Sequence, residues 1–168
     1  MNQLELNLEK ISRLSKSKAD ENYRFRSFLK MQDSDKIDRI VHRLHREISE
    51  QIDCTLCGNC CNELSPLLSD AEIDRLVRID SISKEEFIQK FVESDPVEGD
   101  NFLKGNPCKY LCEKKCTIYS DRPEDCKSYP HTHKKGFNTR TLAMIGNYGI
   151  CPIVFNIFER LKVEMYFR

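Results

Sequence analysis

Nine cysteines stand in 168 residues, and four of them fall in the run Cys54-Thr55-Leu56-Cys57-Gly58-Asn59-Cys60-Cys61. Thiolates are soft ligands, and this crowding lets one short loop wrap a metal. A Cys-x-x-Cys turn brings two sulfurs onto one ion, and Gly58 allows the tight backbone such a turn needs. The element repeats at once, because two residues also separate Cys57 from Cys60. In an extended chain neighbouring side chains point to opposite sides. Cys60 and Cys61 are therefore expected to serve different ions, or opposite sides of one cluster. That asks for more ligands than one tetrahedral ion takes, and Cys108, Cys112, Cys116, Cys126 and Cys151 can supply them.

Other uses of cysteine fit less well. The N-terminus carries acids where a secretory signal would carry an apolar block, and no apolar stretch has the length of a membrane span. A cytoplasmic protein with reduced thiols is expected, and an odd number of cysteines does not make a disulfide framework. A thioredoxin-like redox pair wants a βαβ pattern around its Cys-x-x-Cys, and none surrounds residue 54. A lone thiol such as Cys112 can simply be a small buried hydrophobe, whereas four packed together carry metal spacing.

An all-thiolate set suits an iron–sulfur cluster, iron or zinc, and not magnesium or calcium, which want oxygen. Cys54, Cys57 and Cys60 match the first three ligands of a bacterial ferredoxin run, with Cys151-Pro152 as a remote fourth. Two zinc ions sharing eight cysteines is the alternative. Between Lys104 and Arg140 cations outnumber the four acids, which would steady thiolates; most belong to a solvated face, and Arg122, beside Pro123, is the exception. His131 and His133 are substitute ligands or a proton carrier if they are not merely exposed. His42 and His45 read as helix surface or packing residues.

The elements that must hold these residues are mostly helical. Residues 1–52 lack cysteine, glycine and proline. They read as a helical pair: one helix from Leu4 to Met31, packing through Tyr23, Phe25, Phe28 and Leu29, and a second over Asp35–Ile52. Ile37, Ile40, Val41, Leu44, Ile48 and Ile52 give the second its apolar face, and Asp33 or Ser34 caps it. Ser69–Glu72 and Ser83–Glu86 are capping-box signatures for two short helices. Residues 97–107 read as a polar loop. The runs around Cys108 and Cys116 predict a small hairpin, and Pro123 opens one helical turn that carries Cys126. Thr139–Ile145 is expected as a strand. Cys151-Pro152 opens a last helix that buries Ile153, Val154, Ile157, Phe158, Leu161 and Met165. The fold class is α+β: a helical extension over 1–52, then a metal-stapled cysteine domain over 53–168.

Cys54-x-x-Cys57-Gly58-x-Cys60-Cys61, Cys108, Cys116-Thr117-Ile118-Tyr119, Arg122-Pro123, Cys126, Tyr129-Pro130 and Cys151-Pro152 follow in an order that resembles the YkgJ-type cysteine-cluster (CxxCxxCC) family. The resemblance covers roughly residues 50–155. It implies chelation of zinc or iron by Cys54, Cys57, Cys60, Cys61, Cys108, Cys116, Cys126 and Cys151, with Cys112 an extra. The family often has arginine where this chain has Lys127, which keeps the charge and loses a planar fork. Three functions stay open: a metal-binding protein, a zinc-stapled module for another protein, and an iron–sulfur-dependent enzyme resembling flagellin lysine N-methylases. No glycine-rich nucleotide loop supports the last. Balanced charge, 27 basic against 27 acidic residues, gives no nucleic-acid signal.

Overall fold

Helices dominate, as the caps and apolar spacing predict, and the strands between them are short. A computed structural model describes residues 3–168. In chain order the elements are α1 (Leu8–Ser17), α2 (Ala19–Lys30), α3 (Ser34–Ser49), α4 (Cys54–Cys57), α5 (Asn59–Glu63), β1 (Leu67–Leu68), α6 (Asp70–Asp80) and α7 (Lys84–Phe91). They continue with β2 (Val92–Ser94), β3 (Asn101–Leu103), β4 (Leu111–Cys112), β5 (Lys115–Cys116), α8 (Glu124–Ser128), α9 (Thr141–Tyr148) and α10 (Pro152–Glu164). Packing divides the chain into two compact units. One runs to Asp53 and resumes over Pro130–Arg168; the other is Cys54–Tyr129. Residues 130–168, read from sequence with the cysteine region, thus pack with the N-terminal helices.

In the first unit, the Asp33 carboxylate caps α3 by accepting the Lys36 N–H at 2.6 Å. Ile37, Val41, Leu44 and Ile48 then line one buried face, packed on α10. Helix α10 starts with Pro152 at its first turn and buries all six apolar residues expected of it. The expected single helix over Leu4–Met31 is two. It breaks at Lys18; α1 packs on α10, and α2 packs on α9 and also meets α10 through Phe25 and Phe158. Phe25 and Leu29 are buried, but Tyr23 is exposed. The strand expected over Thr139–Ile145 is instead a 3-10 turn, Phe137–Arg140, leading into α9. Leu142, Ala143 and Met144 are strong helix formers, and a short apolar run does not itself distinguish the two periods. The start of the chain is tied down by Asn156, which accepts the Glu5 N–H at 3.0 Å and donates to the Glu5 carbonyl at 2.9 Å.

A partly buried ion network, centred on the buried Lys162, completes this unit. Lys162 donates to Glu21 at 2.6 Å and to Glu159 at 2.7 Å, and Glu159 also accepts from Lys18 and from the Tyr148 hydroxyl. Burial pushes the Glu159 carboxyl up, but Lys162 and Lys18 outweigh it and leave its pKa below the ordinary value. A carboxylate depressed in the folded state contributes stability above its unfolded pKa, about 4.3, and loses it as pH falls through the folded value.

The second unit is organised on Leu68, Ile73, Leu76, Phe87, Leu103 and Tyr110, with Cys108, Cys116 and Ile118 packed at the edge of this core. Both predicted caps are present: Ser69 and Glu72 form a full capping box, and Ser83 accepts from the Glu86 N–H at 3.1 Å. The expected polar loop holds β3, the central strand of an antiparallel sheet ordered β1-β3-β2. Phe102 faces Leu67 on one side and Glu93 on the other. Such short strands carry no legible alternation. The expected hairpin is β4–β5, turned by Glu113 and Lys114 at φ 48° and 67°. Two consecutive positive φ values suit the right-handed twist of the strands. Among the described residues, no helix is long and apolar enough to cross a membrane.

Two outcomes follow from these contacts. The urea midpoint of the protein should fall as pH drops below about 4.3, and Glu159→Gln should flatten part of that dependence; an unchanged slope contradicts the network's role. Gly58 has φ +60°, and a Cβ there would lie 2.6 Å from the Lys114 carbonyl oxygen, whereas Gly99 has φ +75° and open space. Gly99→Ala should cost about 1–2 kcal/mol for the backbone alone. Gly58→Ala should cost more by thermal denaturation, and equal losses would show that the Lys114 approach is not tight.

Candidate metal centre

The cysteine run folds as two short helices rather than as an extended loop. Cys54 opens α4 and Cys57 closes it, Gly58 turns the chain in the left-handed region, and Cys60 and Cys61 lie on α5. The expectation that Cys60 and Cys61 point to opposite sides is therefore corrected. Adjacent residues on a helix sit about 100° apart, a consequence of 3.6 residues per turn, so both can face one space, and here both do.

That space is a cavity of about 250 Å³. Six of the nine cysteines line it: Cys54, Cys60, Cys61, Cys108, Cys116 and Cys126. They come from the cysteine run, the segment before β4, strand β5 and helix α8. Backbone bonds hold these segments together. The Cys108 N–H donates to the Cys61 carbonyl at 2.7 Å, and the Thr117 N–H donates to the Tyr110 carbonyl at 2.8 Å. The close approach of Lys114 to Gly58 sets the hairpin tip against the cysteine run. None of the nine cysteines is in a disulfide.

The thiols feel one another. Burial raises the pKa of Cys108, Cys116 and Cys126, the last to about 12, and the neighbouring cysteines add to it. Cys61 acts on the other three, Cys116 acts on Cys108, and both Cys108 and Cys116 act on Cys126. These four thiols are thus close enough for every pair among them to interact. Cys61 differs. A hydrogen bond from Cys60, with a smaller contribution from Arg122, lowers its pKa to about 7 against the opposing effect of burial. The Arg122 guanidinium stacks 3.7 Å from the centre of the Tyr119 ring and also lowers the pKa of Cys116. Lys114 and Lys127 stand on the same wall.

Soft sulfur donors with cations beside them fit a thiolate-bound metal centre. The space also exceeds what one ion fills, since a water molecule occupies about 30 Å³. Among the described residues, no group of three or more Cys, His, Asp or Glu side chains is already arranged to hold one ion. The thiols surround a volume and do not converge on a point.

The remaining candidates lie elsewhere. Cys57 is half-buried and Cys112 exposed, and neither is on the cavity wall. Cys151 is buried in the other unit, at the start of α10. The histidines also belong to that unit. His45 pairs its Nδ1 with the Thr132 hydroxyl at 2.8 Å, and its ring centre is 5.3 Å from that of His133. His42 Nε2 donates to the Lys134 carbonyl at 3.3 Å. His131 is half-buried at φ 62°. Sequence reasoning picks out Arg122 but misses Lys114, Tyr110, Tyr119 and Tyr129 as wall residues, because nothing local marks a lysine or tyrosine as facing a cavity.

Comparison with curated proteins and with solved structures returns no match. A family model does match, over residues 53–143, and its description reads "Putative zinc- or iron-chelating domain". The match takes in the whole cysteine run and the cavity built on it, and it spans more than half of the chain: this protein belongs to the CxxCxxCC family.

Proposed function

We propose that the Cys54–Tyr129 unit is a metal-binding domain that holds iron, as an iron–sulfur cluster, through its thiolates, with zinc as the alternative occupant. One observation carries this reading: six cysteines from separate segments line a single cavity larger than one ion requires. Cys61, Cys108, Cys116 and Cys126, which line the cavity together and interact pairwise, are the four sulfurs we assign to the centre. Four thiolates are the number that iron–sulfur clusters use. Cys54 and Cys60 support them from the same wall; Cys57 and Cys151, the other two of the eight that the family resemblance implies, lie off that wall, Cys151 in the other unit.

An iron–sulfur centre, when bound, supplies a one-electron redox couple or an open iron site. The chain's own residues exclude water with Leu64, Leu103 and Ile118, and set Arg122, Lys114 and Lys127 against the negative charge of the thiolates. We place the protein in the cytoplasm, where its thiols stay reduced, with another protein as its partner. Zinc, if it is the occupant, makes the unit a stapled interaction module.

The test is anaerobic purification followed by elemental analysis, acid-labile sulfide and a visible spectrum. Brown protein with stoichiometric iron and sulfide is expected, and colourless zinc protein selects the alternative. Serine at Cys61, Cys108, Cys116 or Cys126 should remove most of the metal and lower the thermal midpoint, since site assembly is coupled to folding. Cys112→Ser should leave both unchanged; a loss there equal to the others contradicts the assignment.

A further inference from the structure

Helix α8 carries Cys126 into the cavity, yet it has no cap of its own. The residue before it is Pro123, which has no N–H to donate and no side-chain oxygen to accept one. The first free donor of α8 is therefore the Glu124 N–H, and it is met from another helix. Glu72 on α6 accepts it through Oε1 at 2.6 Å. The second oxygen of the same carboxylate accepts from the Ser69 N–H and hydroxyl, both at 2.8 Å. One largely buried carboxylate thus caps two helices, α6 in sequence and α8 in space.

The neighbouring side chain continues the arrangement. Arg75, one turn along α6, donates Nε to the Asp121 carbonyl at 3.1 Å and Nη2 to the Arg122 carbonyl at 3.4 Å. From β1, the Leu67 N–H donates to the Asp125 carboxylate at 3.1 Å. The segment 121–126 is therefore gripped at four residues, Asp121, Arg122, Glu124 and Asp125, by groups that do not themselves line the cavity, Leu67, Glu72 and Arg75. That segment delivers both the Arg122 guanidinium and the Cys126 thiol.

We infer that Glu72 and Arg75 are positioning residues of the thiolate centre, fixing the backbone that aims Cys126 and Arg122 at the bound metal. This rests on the metal-binding reading above. Partners of this kind, one step behind the ligands, typically change metal affinity 10–100-fold, roughly, when removed. Glu72→Gln keeps the volume and one acceptor but gives up the charge that binds two helix N-termini at once. Arg75→Lys keeps the charge and loses the fork that reaches two carbonyls.

The test uses the full chain, prepared metal-free under reducing conditions and titrated with cobalt(II), whose thiolate charge-transfer bands report sulfur ligation. Glu72→Gln should bind cobalt about 10–100-fold more weakly with a diminished band. In a Cys126→Ser background the same change should add little further loss, because the ligand it aims is gone. Ser69→Ala is the control: it removes the hydroxyl that donates to Glu72 on α6 and leaves the residue 69 N–H and the bond to Glu124 in place. It should lower the thermal midpoint while keeping cobalt affinity within about threefold, as expected of a change confined to a helix cap. In the metal-free protein, Glu72→Gln should also speed hydrogen exchange of the Glu124 amide. Wild-type-like affinity in Glu72→Gln beside a clear loss in Cys126→Ser overturns this inference alone. Equal losses in Glu72→Gln and Ser69→Ala overturn it too, because α6 capping then accounts for both. A wild-type chain that binds no cobalt removes the metal-binding reading and this inference with it.

Discussion

Sulfurs gathered around one small space cannot all carry charge unless something pays for it. Each thiolate raises the pKa of its neighbours, and burial adds to the cost. Cys126 shows the result, with its thiol pushed to about 12 by burial and by three nearby cysteines. Cys61, hydrogen-bonded by Cys60 and near Arg122, is the exception at about 7. A divalent or cluster-bound metal resolves the conflict, because a coordinating thiol is deprotonated outright and its charge is neutralised in place. The site therefore has a chemical preference built into its electrostatics: buried sulfurs first, cations second, apolar walls around both.

The rest of the unit serves that arrangement. The core of Leu68, Ile73, Leu76, Phe87, Leu103 and Tyr110 backs Cys108 and Cys116, so those two sulfurs sit on a packed surface rather than on a loose loop. Gly58 lets the hairpin tip approach the cysteine run. A 2.7 Å backbone bond fastens the segment of Cys108 to that of Cys61. Lys109 is held by Asp80 and lies 3.6 Å from the centre of the Phe91 ring, which ties the start of the hairpin to the helical layer. With strands this short, hydrogen bonding in the sheet supplies little, and side-chain packing with backbone capping fixes the segments that carry ligands.

Much of this was legible in the chain. The capping boxes at Ser69 and Ser83, the apolar face of α3 and the proline start of α10 are local signals, and local signals survive folding when tertiary packing agrees with them. The family was legible too, since the order of its cysteines is carried by the sequence itself. Features set by long-range contact were not. Strand β3 has too few residues for a period to appear. Helix α9 is a short apolar run that fits both periods, and the break at Lys18 carries neither glycine nor proline to mark it. Alternation at Cys60 and Cys61 requires an extended chain, and the chain is helical there, in α5. Glu72 shows the deeper limit. Its capping box accounts for the residue locally, so nothing in the sequence says that its other oxygen caps a second helix 52 residues away.

X-ray absorption at the metal edge of the protein purified anaerobically tests the central claim most directly. A first shell dominated by sulfur at about 2.3 Å is expected for thiolate ligation. A shell of nitrogen and oxygen alone, near 2.0–2.1 Å, would contradict it.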